Sequence, residues 1–598
     1  MQSVINRLET ASERLQRLRA LLAERGLEGF VVPHSDEHQG EYIPPSAERL
    51  AWLTGFTGSA GMAIVLAARA ALFVDGRYTI QAASQSDTRL YEQCHLIEHP
   101  PHRWLAETAP AGARIGYDPW LHTAQGVDQL RAACAKAGAH LVACDDSPLD
   151  AAWTDRPAAP LAAAVPQPVE FAGRSSEQKR ADLARALEAE AIDAAVLSAP
   201  ESIAWLLNLR GGDVPFTPMP LSFGLVHKDG TVDLFIAPEK LSADTRRHLG
   251  NAVRIGTPAD LAGALDRLSG KKVRLDQASA PAWIGDRLTS SGARVDLGAD
   301  FCALPRACKN DVELDGSRRA HLRDGAALTR FLAWLQDAAL TGDLTEIAAA
   351  DRLEQFRAGG QHFRGLSFST ISAAGPHAAL PHYHATPDSD RRLAKGELYL
   401  VDSGGQYLDG TTDVTRTVAI GPAGAEERRR FTQVLKGHIA LARCRFPKGT
   451  TGSQIDCLAR VALWADGVDF DHGTGHGVGS YLSVHEGPQR IAKAPNSHPL
   501  LPGMVLSDEP GYYKEGAYGI RIENLLAVRK DETGGDREFL SFETLTLAPI
   551  DLALIDRTLL MDEEAAWLNA YHGRVRTELT PLLDSPTADW LARATRAI

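Results

Sequence analysis

The 598-residue chain predicts an α/β plus α+β protein, in which two α/β domains of one design precede a third, α+β domain. Three observations carry this expectation. Two stretches begin alike, each with a charged helix that leads to an apolar strand. Two linker candidates, the Pro/Ala-rich residues 156–168 and the segment 300–311, divide the chain. Beyond the second linker the pattern turns helical and then passes into strands that bear acidic motifs, an order that alternating βαβ units do not give. The expected domains are 1–165, 166–310 and 311–598, each large enough to bury a core of its own.

In the first domain an amphipathic helix over 4–24 leads to Gly29-Phe30-Val31-Val32-Pro33. In the second, a helix over 176–190 leads to Ile192-Asp193-Ala194-Ala195-Val196-Leu197. Ala51-Trp52-Leu53-Thr54-Gly55-Phe56 then corresponds to Ala204-Trp205-Leu206-Leu207-Asn208-Leu209, and Gly-punctuated strands follow each. A duplicated α/β unit is the simplest reading. The third domain opens with helices over 311–337 and 344–358, continues into the acidic strands, and closes with an apolar strand over 545–550 and further helices.

Composition excludes several classes of function. The seven cysteines are scattered and contain no Cys-x-x-Cys, so neither a disulfide framework nor a thiolate metal site is expected, and a reducing cytoplasm fits best. The first residues lack an apolar core and cleavage site of a secretory signal. The apolar run 61–74 is short and broken by Arg69, well under the ~20 residues that span a bilayer. A net charge of −13, with no Lys/Arg run against it, argues against nucleic acid and anionic membrane as partners.

The chemistry concentrates in the third domain. Asp402, Asp413, His476, Glu509 and Glu523 read as a two-metal hydrolytic site. Asp402 ends a strand-like run over 396–401. Residues 411–420 alternate, so that Asp413, Thr415 and Thr417 share one face. The two aspartates meet across a hairpin whose register stays open: a turn at Tyr407-Leu408 pairs them directly, the Asp409-Gly410 turn signal does not, and a bulge near Gly404-Gly405 reconciles the two. Glu509 ends a strand over 504–507, Glu523 shares a face with Arg521, and Pro510-Gly511 is expected to reverse the chain between them. Four clustered, desolvated carboxylates are prohibitive without compensation, and two divalent cations supply it. Oxygen ligands with one imidazole suit Mn²⁺, Co²⁺ or Zn²⁺, and a water bridging the two ions would be acidified into the nucleophile.

Each segment also has a bland reading. An isolated aspartate after a strand is more often a turn or cap residue, His472-Gly473-Thr474-Gly475-His476 has the look of an anion loop without Gly-x-Gly-x-x-Gly spacing, and Glu523 beside Arg521 makes an ordinary ion pair. Five such segments in order favour the metal site. Of the remaining histidines, His382, His472 and His485 are candidates to donate hydrogen bonds to a developing oxyanion, with a structural role as the alternative for each. Arg521 is a candidate to position substrate, and the negative charge around Asp402 to accept a free amino terminus.

These residues resemble the Xaa-Pro aminopeptidase (aminopeptidase P) branch of the pita-bread metallopeptidases, in its long, three-domain form. The resemblance runs through Asp402-Ser403-Gly404, Asp409-Gly410-Thr411-Thr412-Asp413-Val414-Thr415-Arg416-Thr417, His472-Gly473-Thr474-Gly475-His476-Gly477-Val478-Gly479, His485-Glu486-Gly487-Pro488 and Asp508-Glu509-Pro510-Gly511-Tyr512-Tyr513. Amino-terminal segments such as Gly55-Phe56-Thr57-Gly58-Ser59-Ala60-Gly61 and Asp75-Gly76-Arg77-Tyr78 extend it. It implies two creatinase-like α/β domains before a pita-bread catalytic domain, usually dimeric, commonly using manganese, and removing the residue that precedes proline at the amino terminus of a peptide. Asp402 would chelate one ion, His476 and Glu509 the other, and Asp413 and Glu523 would bridge both. His382, His472 and His485 would line the substrate site, and Glu509 counts with them as catalytic. Arg77 is a further candidate, reaching the peptide's downstream carbonyls or carboxylate, with a local salt bridge as its alternative. One departure stands out: Gly375-Pro376-His377-Ala378 has histidine where relatives usually carry asparagine. The rivals are a prolidase restricted to X-Pro dipeptides and an inactive pita-bread domain used as a peptide-binding module. Comparing X-Pro with X-Pro-Y peptides separates the first, and metal analysis the second.

Overall fold

A computed structural model describes residues 10–598. The chain divides into two compact units: residues 1–166, 176–215 and 219–302 form the first, and residues 167–175, 216–218 and 303–598 the second.

The first unit contains the duplication. Helix α1 (Ala11–Glu24) starts at a Thr10–Glu13 capping box and buries Leu15, Leu18 and Leu22, a spacing that puts the three on one face. The part of the expected helix over 4–9 lies outside the described residues. Strands β1 (Gly29–Pro33), β2 (Met62–Leu66), β3 (Ala70–Val74), β4 (Glu92–His95), β5 (Arg114–Tyr117) and β6 (His140–Ala143) form a sheet in the order β4-β3-β2-β1-β5-β6. After helix α2 (Ser176–Ala189), strands β7 (Ala194–Leu197), β8 (Phe223–His227), β9 (Val232–Phe235), β10 (Val253–Gly256), β11 (Lys272–Leu275) and β12 (Arg294–Leu297) repeat that order as β10-β9-β8-β7-β11-β12. The strand directions repeat as well. In both sheets the first strand is antiparallel to the second and parallel to the fifth.

The second unit opens with α3 (Asp311–Ala338), started by an Asn310–Glu313 capping box, and α4 (Glu346–Ala358). Its strands are β13 (Phe363–Leu366), β14 (Ile371–Ala374), β15 (Leu398–Ser403), β16 (Gly405–Tyr407), β17 (Gly410–Thr411), β18 (Val414–Ala419), β19 (Arg445–Pro447), β20 (Gly475–Gly477), β21 (Glu486–Ile491), β22 (Val505–Asp508), β23 (Gly511–Lys514), β24 (Tyr518–Arg521), β25 (Asn524–Lys530) and β26 (Phe539–Thr544). The largest sheet here runs β19-β26-β25-β22-β20-β21, with α5 (Ala425–Ala442) just before its first strand in sequence and α6 (Asp562–Leu579) near the chain's end. Phe431, Val434, Leu435 and Ile439 of α5 share an apolar cluster with Ile520, Leu568 and Val575.

The closing strand expected over 545–550 is absent. The last strand ends at Thr544, and residues 545–550 run without a ladder although Leu545, Leu547 and Ile550 are buried. Side chains take the backbone groups that a ladder would have used: the amides of Ala548 and Ile550 donate to Tyr571 Oη and His572 Nε2, and the carbonyls of Ala548 and Pro549 accept from Arg416. Among the described residues, no helix is long and apolar enough to cross a membrane.

Candidate active site

Two interrupted hairpins build the site. In the first, Asp402 lies opposite Thr415 and Gln406 opposite Thr411, one register on both sides of Gly404. The turn is therefore Leu408-Asp409, neither of the two expected centres, and no bulge is inserted. Asp409 is buried and accepts from Arg323 of α3, while a Cβ on Gly410 would stand 3.1 Å from Ser317 Cα, so these residues serve contact with α3 rather than a free Asp-Gly turn. Asp413 falls just outside the ladder. It shares a face with Thr415, the residue opposite Asp402, and the aspartates are thus diagonal neighbours.

The second hairpin repeats the device. Asp508 lies opposite Asn524 and Gly511 opposite Arg521, and between these pairs the ladder opens at Glu509-Pro510 and Ile522-Glu523. Pro510-Gly511 does not reverse the chain; its expected turn is corrected to residues 515–517, where Gly516 adopts φ +69°. Pro510 instead accepts from the amide of Ile522 across the gap. The two openings meet, with the amide of Glu523 donating to Thr415 O and Thr415 Oγ1 donating to Glu523 Oε2 at 2.7 Å.

His476 enters from β20. Its Nδ1 lies 2.9 Å from Gly477 O, which assigns the proton to Nδ1 and turns the Nε2 lone pair toward Asp413 Oδ2 at 3.5 Å and Glu509 Oε1 at 3.6 Å. Ser507 Oγ receives the amide of His476 and donates to Glu509 Oε1 at 3.2 Å. Ligand atoms of Asp413, His476 and Glu523 all lie within 4.8 Å of one another.

The electrostatics are those of a site built for cations. Burial, outweighing the help of Arg521, lifts the Asp402 carboxyl above its ordinary range; burial also lifts Glu509, and burial with repulsion from Asp413, Asp402 and Glu509 holds Glu523 well above its own. Burial pulls His476 down, but Asp413 and Glu509 outweigh it and push the imidazole up to about 9. Asp402 Oδ1 is buried without a hydrogen-bond partner. Together with an all-oxygen and imidazole donor set, that orphaned oxygen fits hard or borderline divalent ions.

Arg521 is committed within this cluster. It donates to Asp402 Oδ2 at 2.6 Å, Tyr513 Oη at 2.6 Å and Thr415 Oγ1 at 3.2 Å, so the arginine expected beside Glu523 neutralises Asp402 instead. His472 Nε2 lies 2.8 Å from Tyr513 Oη, and its Nδ1 is 4.0 Å from Glu509 Oε2. The His485 ring stands edge-on to His476 with centroids 4.3 Å apart. His382 is half-buried on the loop preceding β15. Arg77 belongs to the first unit, where it forms the local ion pair with Asp75 at 2.8 Å.

Sequence reasoning missed the supports. Tyr513, which accepts from Arg521, was not among the expected site residues, and Thr415, expected on the Asp413 face, was not expected to bind Glu523. Arg416, fully buried, donates to Glu523 O, Asn524 Oδ1, Pro549 O and Ala548 O, and fixes the strand that carries Glu523.

Comparison with known proteins agrees with this geometry. Residues 315–530 match metallopeptidase family M24, residues 538–598 match the C-terminal region of that peptidase, and residues 14–149 and 155–313 each match a creatinase/prolidase N-terminal domain. The chain is 42% identical over 611 residues to a "Probable Xaa-Pro aminopeptidase P" of Paracoccidioides brasiliensis, covering 98% of this chain and 99% of that protein. A protein of the same description from Aspergillus niger is 41% identical over equal shares. The crystal structure of X-prolyl aminopeptidase from Caenorhabditis elegans, described as a cytosolic enzyme with a di-nuclear active site, superposes with a TM-score of 0.95 at 37% identity, covering 98% of this chain and 100% of that one. A dipeptidase of Mycobacterium ulcerans, by contrast, covers 62% of this chain at 26% identity and a TM-score of 0.50.

Proposed function

The chain belongs to metallopeptidase family M24, in the branch with creatinase-type amino-terminal domains, and on that premise we propose that it is a metal-dependent exopeptidase that hydrolyses the amino-terminal Xaa-Pro bond of peptides. The observation that carries the reading is the convergence of two interrupted hairpins and β20 on one buried cluster of carboxylates around His476. Asp402, Asp413, His476, Glu509 and Glu523 would hold two divalent ions, Asp402 on the side of one, His476 and Glu509 on the side of the other, and Asp413 and Glu523 serving both. Manganese is the ion proposed, with cobalt or zinc as replacements in the same donor set. When bound, the ions compensate the carboxylates and supply Lewis-acid activation of water.

The chain's own groups do the rest. Gly477 O fixes the His476 tautomer, and Arg521 with Tyr513 and Thr415 orients Asp402. Glu509, whose Oε1 lies 3.6 Å from His476 Nε2, is the carboxylate assigned to take up a proton beside the reacting bond. His485, against His476, is assigned to the developing oxyanion, and His472 and His382 to the substrate around proline. An X-Pro amide is tertiary, with no N–H for a general peptidase to grip and a fixed φ, and it calls for a dedicated pocket. Arg77, held by Asp75, retains only the candidate role of a downstream peptide contact. A homodimer in the cytoplasm completes the proposal.

Kinetics on X-Pro and X-Pro-Y peptides test it. Cleavage of tripeptides and longer chains supports the aminopeptidase, activity confined to dipeptides would favour the prolidase, and binding without cleavage would favour an inactive module.

A further inference from the structure

His377 is part of a buried clamp. Glu346, the first residue of α4, has no exposed surface. Its Oε1 accepts from the amide of Ala374 at 2.7 Å and its Oε2 from Tyr383 Oη at 2.9 Å. His377 Nδ1 lies 3.0 Å from both oxygens, and the amide of Arg391 reaches Oε2 at 3.4 Å. One carboxylate thus ties down residues 374, 377, 383 and 391, the two ends and the interior of the segment that carries His382.

The segment is also pressed against the site. A Cβ on Gly519 of β24 would come within 1.7 Å of Ala378 O, so the short turn Gly375–Ala379 rests directly on the strand that ends in Arg521. Its other flank, β14, pairs with β15, placing Ile371 opposite Asp402. The His377 and Tyr383 rings lie 4.5 Å apart, and Tyr383 Oη also reaches Ser389 Oγ at 3.0 Å. Arg391 closes the loop by donating to Ala374 O at 2.5 Å.

We propose that Glu346 is a positioning residue for the reaction, with His377 as a member of its clamp, and that the pair acts by setting where His382 stands. A carboxylate with no exposure and four donors does not tolerate loss of a partner cheaply, so the loop has one arrangement while the clamp is whole. The clamp rests on the Xaa-Pro reading only for its kinetic consequence.

The test combines Glu346→Gln, His377→Asn, His377→Leu, His382→Ala and the double variant Glu346→Gln/His382→Ala. Glu346→Gln and His377→Leu are expected to lower kcat/KM on an X-Pro-Y peptide by about tenfold to a hundredfold, as for a catalytic group misplaced on the ångström scale, while bound metal stays unchanged. His377→Asn, which keeps an N–H donor, is expected to stay close to wild type. Added to His382→Ala, Glu346→Gln is expected to change nothing further, because both act through one side chain. An equal loss on that background, or no loss in the single variants, would overturn the proposal. Hydrogen exchange over residues 375–391 reads the clamp independently of catalysis: faster exchange in Glu346→Gln is expected, and unchanged exchange refutes the clamp even if no X-Pro bond is cleaved by the wild type. A wild type that cleaves no X-Pro bond refutes the functional reading alone.

Discussion

Replacing Gly475 by alanine changes no ligand, yet the geometry predicts that it empties the site. Gly475 precedes His476 on β20, and β20 packs against β22, whose next residue beyond Asp508 is Glu509. A Cβ at Gly475 would sit 2.0 Å from Ser507 O and 2.9 Å from Ser507 C. Ordinary contact begins near 3.4 Å, so the strands must part by about 1.4 Å unless the backbone twists. Both are held by backbone ladders, and the obstructing atoms are backbone, so no side chain can swing away. The displacement moves His476 Nε2 and Glu509 Oε1, now 3.6 Å apart, off a common centre. A shift of this size at a site that demands fixed geometry lowers metal affinity and kcat/KM by about a hundredfold. Gly473→Ala is the control in the same loop: its nearest neighbour, Ile491 O, is 3.5 Å from the new Cβ, and near-normal behaviour is expected. The assay is metal content by elemental analysis after dialysis, beside X-Pro-Y kinetics, for both variants. Full metal content and turnover in Gly475→Ala, or equal losses in the two variants, would refute the reasoning.

Three further outcomes follow from the same site. Asp413→Ala or Glu523→Ala is expected to lower occupancy at both metal positions, as loss of a bridging ligand does, where Asp402→Ala spares one; elemental analysis distinguishes them. His485→Ala is expected to reduce kcat by on the order of 10² with metals retained, and steady-state kinetics with metal analysis would show whether its role is structural instead. The pH dependence of the metal-free protein has a fixed sign. Glu523, Glu509 and Asp402 are raised above their ordinary carboxylate values and His476 is raised to about 9, so the folded state holds these protons more tightly than the unfolded state. Their stabilisation is complete below the unfolded values and is lost as pH rises through the folded ones, up to about 9 for His476. Thermal melting should show metal-free protein weakening from mildly acid to alkaline pH, and the rise in Tm on adding Mn²⁺ growing over that window.

The acidic segments were legible because Asp402 and Glu509 come at the ends of apolar strands and all four carboxylates stand in segments with a local signature of their own. So was the duplication, whose two sheets repeat one strand order. The hairpin registers were not, since they depend on distant partners. Asp409 is drawn to Arg323 of α3, and Pro510-Gly511 continues a ladder that Gly516 later turns. Nor did alternation show that Arg521 would pair with Asp402 across 119 residues of sequence, or that Arg416 would brace Glu523 from 107 residues away. The apolar pattern of residues 545–550 also misled, since it resembles a strand while their backbone is satisfied by Tyr571, His572 and Arg416.

The most direct test strips the protein of metal, returns Mn²⁺ stepwise, and follows bound metal and X-Pro-Y cleavage in the same samples. The account predicts negligible cleavage in the stripped protein, release of the amino-terminal residue that saturates as two equivalents per chain are bound, and no release from peptides lacking proline at the second position. Full cleavage by the metal-free protein, or two bound equivalents without any Xaa-Pro hydrolysis, would contradict it.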